Sequence, residues 1–181
     1  MKKSIYSIAI LAAGLLVASC GNKQTPPPPS VTAVEQAEAA EQLPEVKTTI
    51  DKNSFTVALP DGWQAMPGDD EDGGKESTIV FKGKDVTELM TAAFMMINVG
   101  DDEGKTLDEG IKEFLEESKA QPAEDVKIGG KTYKTFTLVE DSVESPMLVT
   151  QENNKFISFI VGKASVQDPE VRAIINSFRL K

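Results

Sequence analysis

The side chains of this 181-residue sequence that can do chemistry are almost all carboxylates. There is no histidine, and the single cysteine is Cys20. Those two facts exclude Cys-His and Ser-His-Asp nucleophilic systems, which need an imidazole base, and zinc sites of the usual nitrogen and sulfur type. Gly129-Gly130 falls between two short strand-like segments rather than ahead of a helix, so it is not a phosphate loop. The densest acidic run is Asp69-Asp70-Glu71-Asp72-Gly73-Gly74. Calcium wants oxygen ligands, but the EF-hand register fails: with Gly73 at loop position six, Gly68 falls at position one and Ile79 at position twelve, where acids are needed. A solvated loop accounts for the run. Asp101-Asp102-Glu103 leads into a helical stretch, where negative charge favours the positive helix end. A carboxylate pair of the glycosidase type stays open, because separation in space is not written in a sequence. One Trp and two Tyr, however, offer few platforms for sugars. Trp63 reads as a core lid over a sheet edge. Met95 and Met96 point to opposite faces of one strand, so they are core filler rather than a shared soft-metal site. The expectation is a protein that is not an enzyme, with no catalytic residue, no metal and no cofactor.

The N-terminus carries an address. Lys2 and Lys3 precede Ile8 to Val17, an uncharged apolar stretch about half the ~20 residues that a membrane-crossing helix needs. A basic start, a short apolar core and small residues make a secretory signal, and a permanent span is the weaker reading. Val17-Ala18-Ser19-Cys20 resembles the lipobox of bacterial lipoproteins. That resemblance implies that residues 1–19 are removed and that Cys20 carries diacylglycerol, with a further chain such as palmitate on the new amino group. Two or three acyl chains hold durably where one holds only reversibly. Gly21 stands where lipoproteins kept in the inner membrane often carry Asp, and no acidic run follows. By resemblance, the expected location is the periplasmic face of the outer membrane; in a Gram-positive cell it would be the outside of the plasma membrane.

Without residues 1–19 the chain has 17 basic and 29 acidic residues, a net of −12. That excess repels phosphate backbones and anionic lipid surfaces, so nucleic acid is excluded as a partner. Residues 20–44 contain the proline run Pro26 to Pro29 and an Ala-, Glu- and Gln-rich stretch without an apolar stripe. They read as a flexible tether. Residues 45–181 suit one domain.

The chemistry-bearing residues of that domain must be positioned by strands and two helices. Phe55, Val57 and Leu59 alternate along a strand ending at Pro60-Asp61-Gly62, and Thr78 to Lys82 is another. Thr91 to Val99 is apolar on both faces, which predicts a central strand covered on both sides. Lys131 to Glu140 follows Gly129-Gly130 as a hairpin arm. Met147 to Gln151 and Lys155 to Val161 flank the turn Asn153-Asn154. The first helix opens on the capping box Thr106-Leu107-Asp108-Glu109. Its stripe is Leu107, Ile111, Phe114 and Leu115, and Gln121-Pro122 is expected to stop it. The second opens on Asp168-Pro169, with Val171, Ile174 and Ile175 as its stripe.

Ser54-Phe55-Thr56-Val57-Ala58-Leu59-Pro60-Asp61-Gly62-Trp63 and Ile174-Ile175-Asn176-Ser177-Phe178 resemble the opening and closing motifs of PsbP/Mog1-like domains. The resemblance implies an α+β fold, an antiparallel sheet with helices on its faces in an α/β/α sandwich. Its members include photosystem II extrinsic subunits, a Ran-binding protein and bacterial envelope lipoproteins. Binding rather than catalysis is their shared theme. The function expected is therefore a lipid-anchored, non-enzymatic binding or accessory module for another envelope protein. The alternatives are a carboxylate-only hydrolase, which needs a pocket with two facing acids, and a small-ligand or lipid carrier, which needs an apolar cavity in the sandwich.

Overall fold

Alternation of apolar and polar residues sets most of the strands. The computed structural model describes residues 43–66, 75–140 and 143–181. The signal segment, Cys20, the proline run and the acidic cluster at 69–74 lie outside the described residues. In chain order the elements are β1 (Val46–Asp51), β2 (Phe55–Pro60), β3 (Trp63–Ala65), β4 (Glu76–Lys82), a 3-10 helix (Val86–Met90), β5 (Phe94–Asp101) and α1 (Leu107–Glu117). There follow β6 (Gln121–Pro122), β7 (Val126–Ile128), β8 (Lys131–Glu140), β9 (Val143–Glu152), β10 (Lys155–Gly162), α2 (Pro169–Ser177) and β11 (Arg179–Leu180).

The strands make a small sheet, β1-β2-β11, and a large one ordered β3-β4-β5-β10-β9-β8-β6, with β7 also on β8. Their pairings are antiparallel. The fold is thus α+β, as expected. Two hairpins are fixed by turns whose residues take positive φ: Gly129 and Gly130 at 56° and 82°, and Asn153 and Asn154 at 50° and 61°. Such turns match the twist of the strands they join.

The core lies on one face of the large sheet. Met95, Ile97 and Val99 of β5, Ile157, Phe159 and Val161 of β10, and Leu148 of β9 point into it. Phe55, Val57 and Leu59 of β2 meet them, together with Val171, Ile174 and Ile175 of α2. Phe159 stands edge-on to Phe178, ring centroids 5.4 Å apart, and Phe178 stacks on Phe55 at 5.2 Å. Trp63 is buried in this core as expected, and its indole N–H donates to Glu170 at 2.9 Å. Lys82 reaches the same carboxylate at 2.7 Å. This cluster ties α2 to the sheet margin.

In the layer facing the large sheet, α2 lies together with the small sheet. Two expectations need correction. α1 ends at Glu117, where Ser118 turns extended, and Gln121-Pro122 is instead a short strand against Phe136 and Thr137. The chain leaves the helix early because Ala120 and the residues after it are drawn to β8, where Ala123 N–H donates to Thr135 O at 2.8 Å. Finally, β5 is fully covered on one face only. Met95 and Ile97 are wholly buried, whereas Phe94, Met96 and Asn98 on the other face are half-buried.

Thr78, on the core face of β4, is 1% exposed, and its hydroxyl has no hydrogen-bond partner. Valine has the same shape without the hydroxyl, so the unmet desolvation disappears with the substitution. Thr78→Val is expected to stabilise the domain by about 1 kcal/mol, read as a higher urea midpoint at unchanged slope. A lower midpoint would mean that the hydroxyl is satisfied in solution.

Candidate functional site

The second face of the large sheet is laid out in rows by strand register. Phe136, Met147, Ile160, Met96 and Ile79 form an apolar row across five strands. The next row contains Ser77, Asn98, Ser158 and Val149. Helix α1 lies over this face. Its capping box closes with Thr106 N–H donating to Glu109 Oε2 at 2.8 Å and Glu109 N–H to Thr106 Oγ1 at 3.4 Å. Leu107, Ile111, Phe114 and Leu115 face the sheet as expected, yet no residue of the helix is fully buried.

Two contacts seat the helix on its β8–β10 side. Phe114 meets Phe136 edge-on at 6.1 Å. Gly110 rests on the ring of Phe156, where an added Cβ would come within 2.5 Å of the ring, so only glycine lets the helix approach this closely. Its N-terminal end is fastened by Gln151, whose Nε2 donates to Asp102 Oδ2 at 2.6 Å and to Lys105 O at 2.7 Å. Asp102 also accepts from Gly104 N–H at 2.9 Å.

On its other side the helix stands off the sheet and leaves a cleft of about 500 Å³. The floor is uncharged and polar: Ser77 Oγ donates to Asn98 Oδ1 at 2.9 Å, and Asn98 Nδ2 donates to Ser158 Oγ at 3.1 Å. The walls are Leu107, Ile111, Phe114, Met147, Val149 and Phe156. Charged groups stand at the margin, most of them already engaged. Lys155 pairs with Asp101 at 2.5 Å, and Lys105 with Glu113 at 2.7 Å and Glu103 at 3.5 Å.

Glu76, two residues before Thr78 on the core face of β4, is buried and accepts from Asn53 N–H at 2.9 Å, Ser54 N–H at 2.7 Å and the Ser54 hydroxyl. Burial alone would push its carboxyl up. The hydrogen bonds from Ser54 and Asn53 and the charge of Lys52 outweigh that and hold it below its ordinary value. Glu170 behaves alike: burial raises it, and Lys82 and Trp63 bring it down further than that. A general acid working near neutrality needs the opposite shift. Neither serine on the floor is hydrogen-bonded to a base, so neither is activated as a nucleophile.

Of the residues singled out in the sequence, Asp101, Asp102 and Glu103 lead into α1 as expected, and the acids of its first turn are Asp108 and Glu109. Met95 and Met96 do face opposite ways. Among the described residues no three metal-binding side chains converge. Sequence reasoning missed the Ser77, Asn98 and Ser158 row. Its signal was Asn98, the one strongly polar residue inside the apolar run Phe94 to Val99.

No family model and no curated protein matches the chain. Among solved structures it is similar to cyanobacterial PsbP (CyanoP) from Synechocystis sp. PCC 6803, 16% identical over 74% of this chain and 92% of that one, with a TM-score of 0.44. It is also similar to a protein from Bacteroides thetaiotaomicron VPI-5482, 20% identical, with a TM-score of 0.44 over 70% of this chain. The match spans only 45% of that second protein. The first bears the name of the family that residues 54–63 and 174–178 resemble. Neither likeness carries an argument about function.

Glu76 clamps the β1–β2 turn to β4, and Gln in its place offers one acceptor and an unwanted donor to three N–H and O–H groups. Glu76→Gln is expected to cost about 2 kcal/mol at pH 7. A lowered carboxylate stabilises fully above its unfolded value near 4.5 and loses that contribution as pH falls through the lower folded value. Urea midpoints of the two proteins should therefore converge in acid. Equal midpoints already at pH 7 would remove the clamp.

Proposed function

We propose that the chain is a lipid-anchored, non-catalytic binding module of the cell envelope, accessory to another envelope protein, with the cleft under α1 as its binding site. Cys20 holds it by acyl chains to the periplasmic face of the outer membrane, and residues 21–44 give the domain reach. The cleft carries the reading. It joins apolar walls to a neutral polar floor, the combination typical of binding sites, and few of its carboxylates are free for chemistry. A hydrolase with two facing acids fits poorly, because Glu76 and Asp102 are each committed to several donors. A second reading, a carrier of a small ligand, is favoured by the place of the cleft between helix and sheet face.

The test places a photo-crosslinking residue at Glu117, on the cleft margin, or at Lys163, just beyond the far end of β10, in living cells. One envelope protein is expected to crosslink from Glu117, not from Lys163, and to be lost when Cys20→Ser releases the chain from the membrane. Crosslinking that ignores both the position and the anchor would sink the accessory reading.

A further inference from the structure

We infer that the cleft is built for a small neutral amphiphile, an apolar body bearing one amide or hydroxyl head, with the head on Ser77, Asn98 and Ser158. This rests on the second reading above, the cleft as a small-ligand site, and names what fills it. The direction of the floor's hydrogen bonds is the first argument. Ser77 donates to Asn98 and Asn98 donates to Ser158, which leaves the second Nδ2 hydrogen of Asn98 and the hydroxyl hydrogen of Ser158 without a partner among the described residues. Two adjacent donors suit one carbonyl or hydroxyl oxygen.

Charge is the second. At the mouth Asp101 is held by Lys155, and Glu103 and Glu113 by Lys105. Glu76 and Asp102 are taken up by Asn53, Ser54, Gln151 and Gly104. Lys75 and Glu117, one of each sign, are left at the margin. A charged head on the floor would sit among neutral dipoles and apolar walls, with Lys75 and Glu117 only at the margin, which is costly. The third argument is size and place. A cleft of about 500 Å³ matches small-molecule sites. It opens on the face of the sheet, so it offers no edge to which a partner's strand could add.

The probes are octanamide, octanoate and octylammonium, which share one apolar body and differ in the charge of the head. Each is titrated into the ¹⁵N-labelled chain, residues 20–181 with Cys20→Ser, which keeps every core residue named above. Octanamide is expected to shift the Asn98 side-chain amide and the backbone of α1, and to bind about tenfold more tightly than either charged probe. Asn98→Ala and Ser158→Ala should each weaken it by about three- to tenfold, with the spectrum unchanged elsewhere. A charged probe binding as tightly as octanamide would overturn the neutral class while leaving the cleft as the site. Unchanged affinity in both variants would overturn the seat on the floor. If none of the three probes moves a cleft resonance, the inference and the small-ligand reading fall, while the accessory reading stands or falls on the Glu117 crosslink.

Discussion

A strand turns alternate side chains to opposite faces, and in β5 that geometry divides the molecule. Met95, Ile97 and Val99 go into the core; Phe94, Met96, Asn98 and Gly100 go to the other side. The first face is sealed by β2 and α2 together. Among the described residues the second is served by one α-helix of eleven residues, about 16 Å long at 1.5 Å per residue. The five strands from β4 to β8 span about 19 Å at their usual spacing, and a helix is roughly 10 Å across. One such helix cannot close that face. Once Gly110 and Phe114 draw it toward Phe156 and Phe136, its far flank must stand open over β4 and β5. The cleft is what remains.

The two sides also differ in how they are held. On the core side, contact is apolar and continuous, and its polar fasteners are few and central to their neighbourhoods: Glu76 on the β1–β2 turn, Glu170 on Trp63 and Lys82. On the cleft side, the helix is held at its N-terminal end by Gln151, by two aromatic contacts, and by ion pairs of exposed lysines that contribute little each. The packed core and the open cleft thus occupy opposite faces of one sheet.

Much of this could be read from local pattern. The alternation of Phe55, Val57 and Leu59, the capping box at Thr106, the cap Asp168-Pro169 and the turn Asn153-Asn154 each act within a few residues, and each formed as read. Strands β1, β3 and β6 were not legible, because each is short or mainly polar and exists only by pairing with a neighbour. The end of α1 was misread for the same reason, since β8 decides it. The polar floor of the cleft was least legible. Ser77 and Asn98 lie 21 residues apart and Asn98 and Ser158 lie 60 apart, so their row depends on register across three strands. A polar residue interrupting an apolar run could mark Asn98, but nothing local could tell which partners it would find.

Strand β2 has a further consequence. It is flanked by β1 on one edge and by the last residues of the chain on the other, where Arg179 and Leu180 pair with Thr56 and Phe55 and Lys181 N–H reaches Ser54 O at 3.0 Å. Ser177 accepts from Ala58 N–H across 119 residues of sequence. A chain that emerges N-terminus first, from a ribosome or through a translocation channel, therefore makes β2 early and must wait for its tail to complete the layer around it. Contacts of such sequence separation form late. Until residues 168–181 arrive, α2 and β11 are missing from the layer over the core face of the large sheet, and that layer closes only with them.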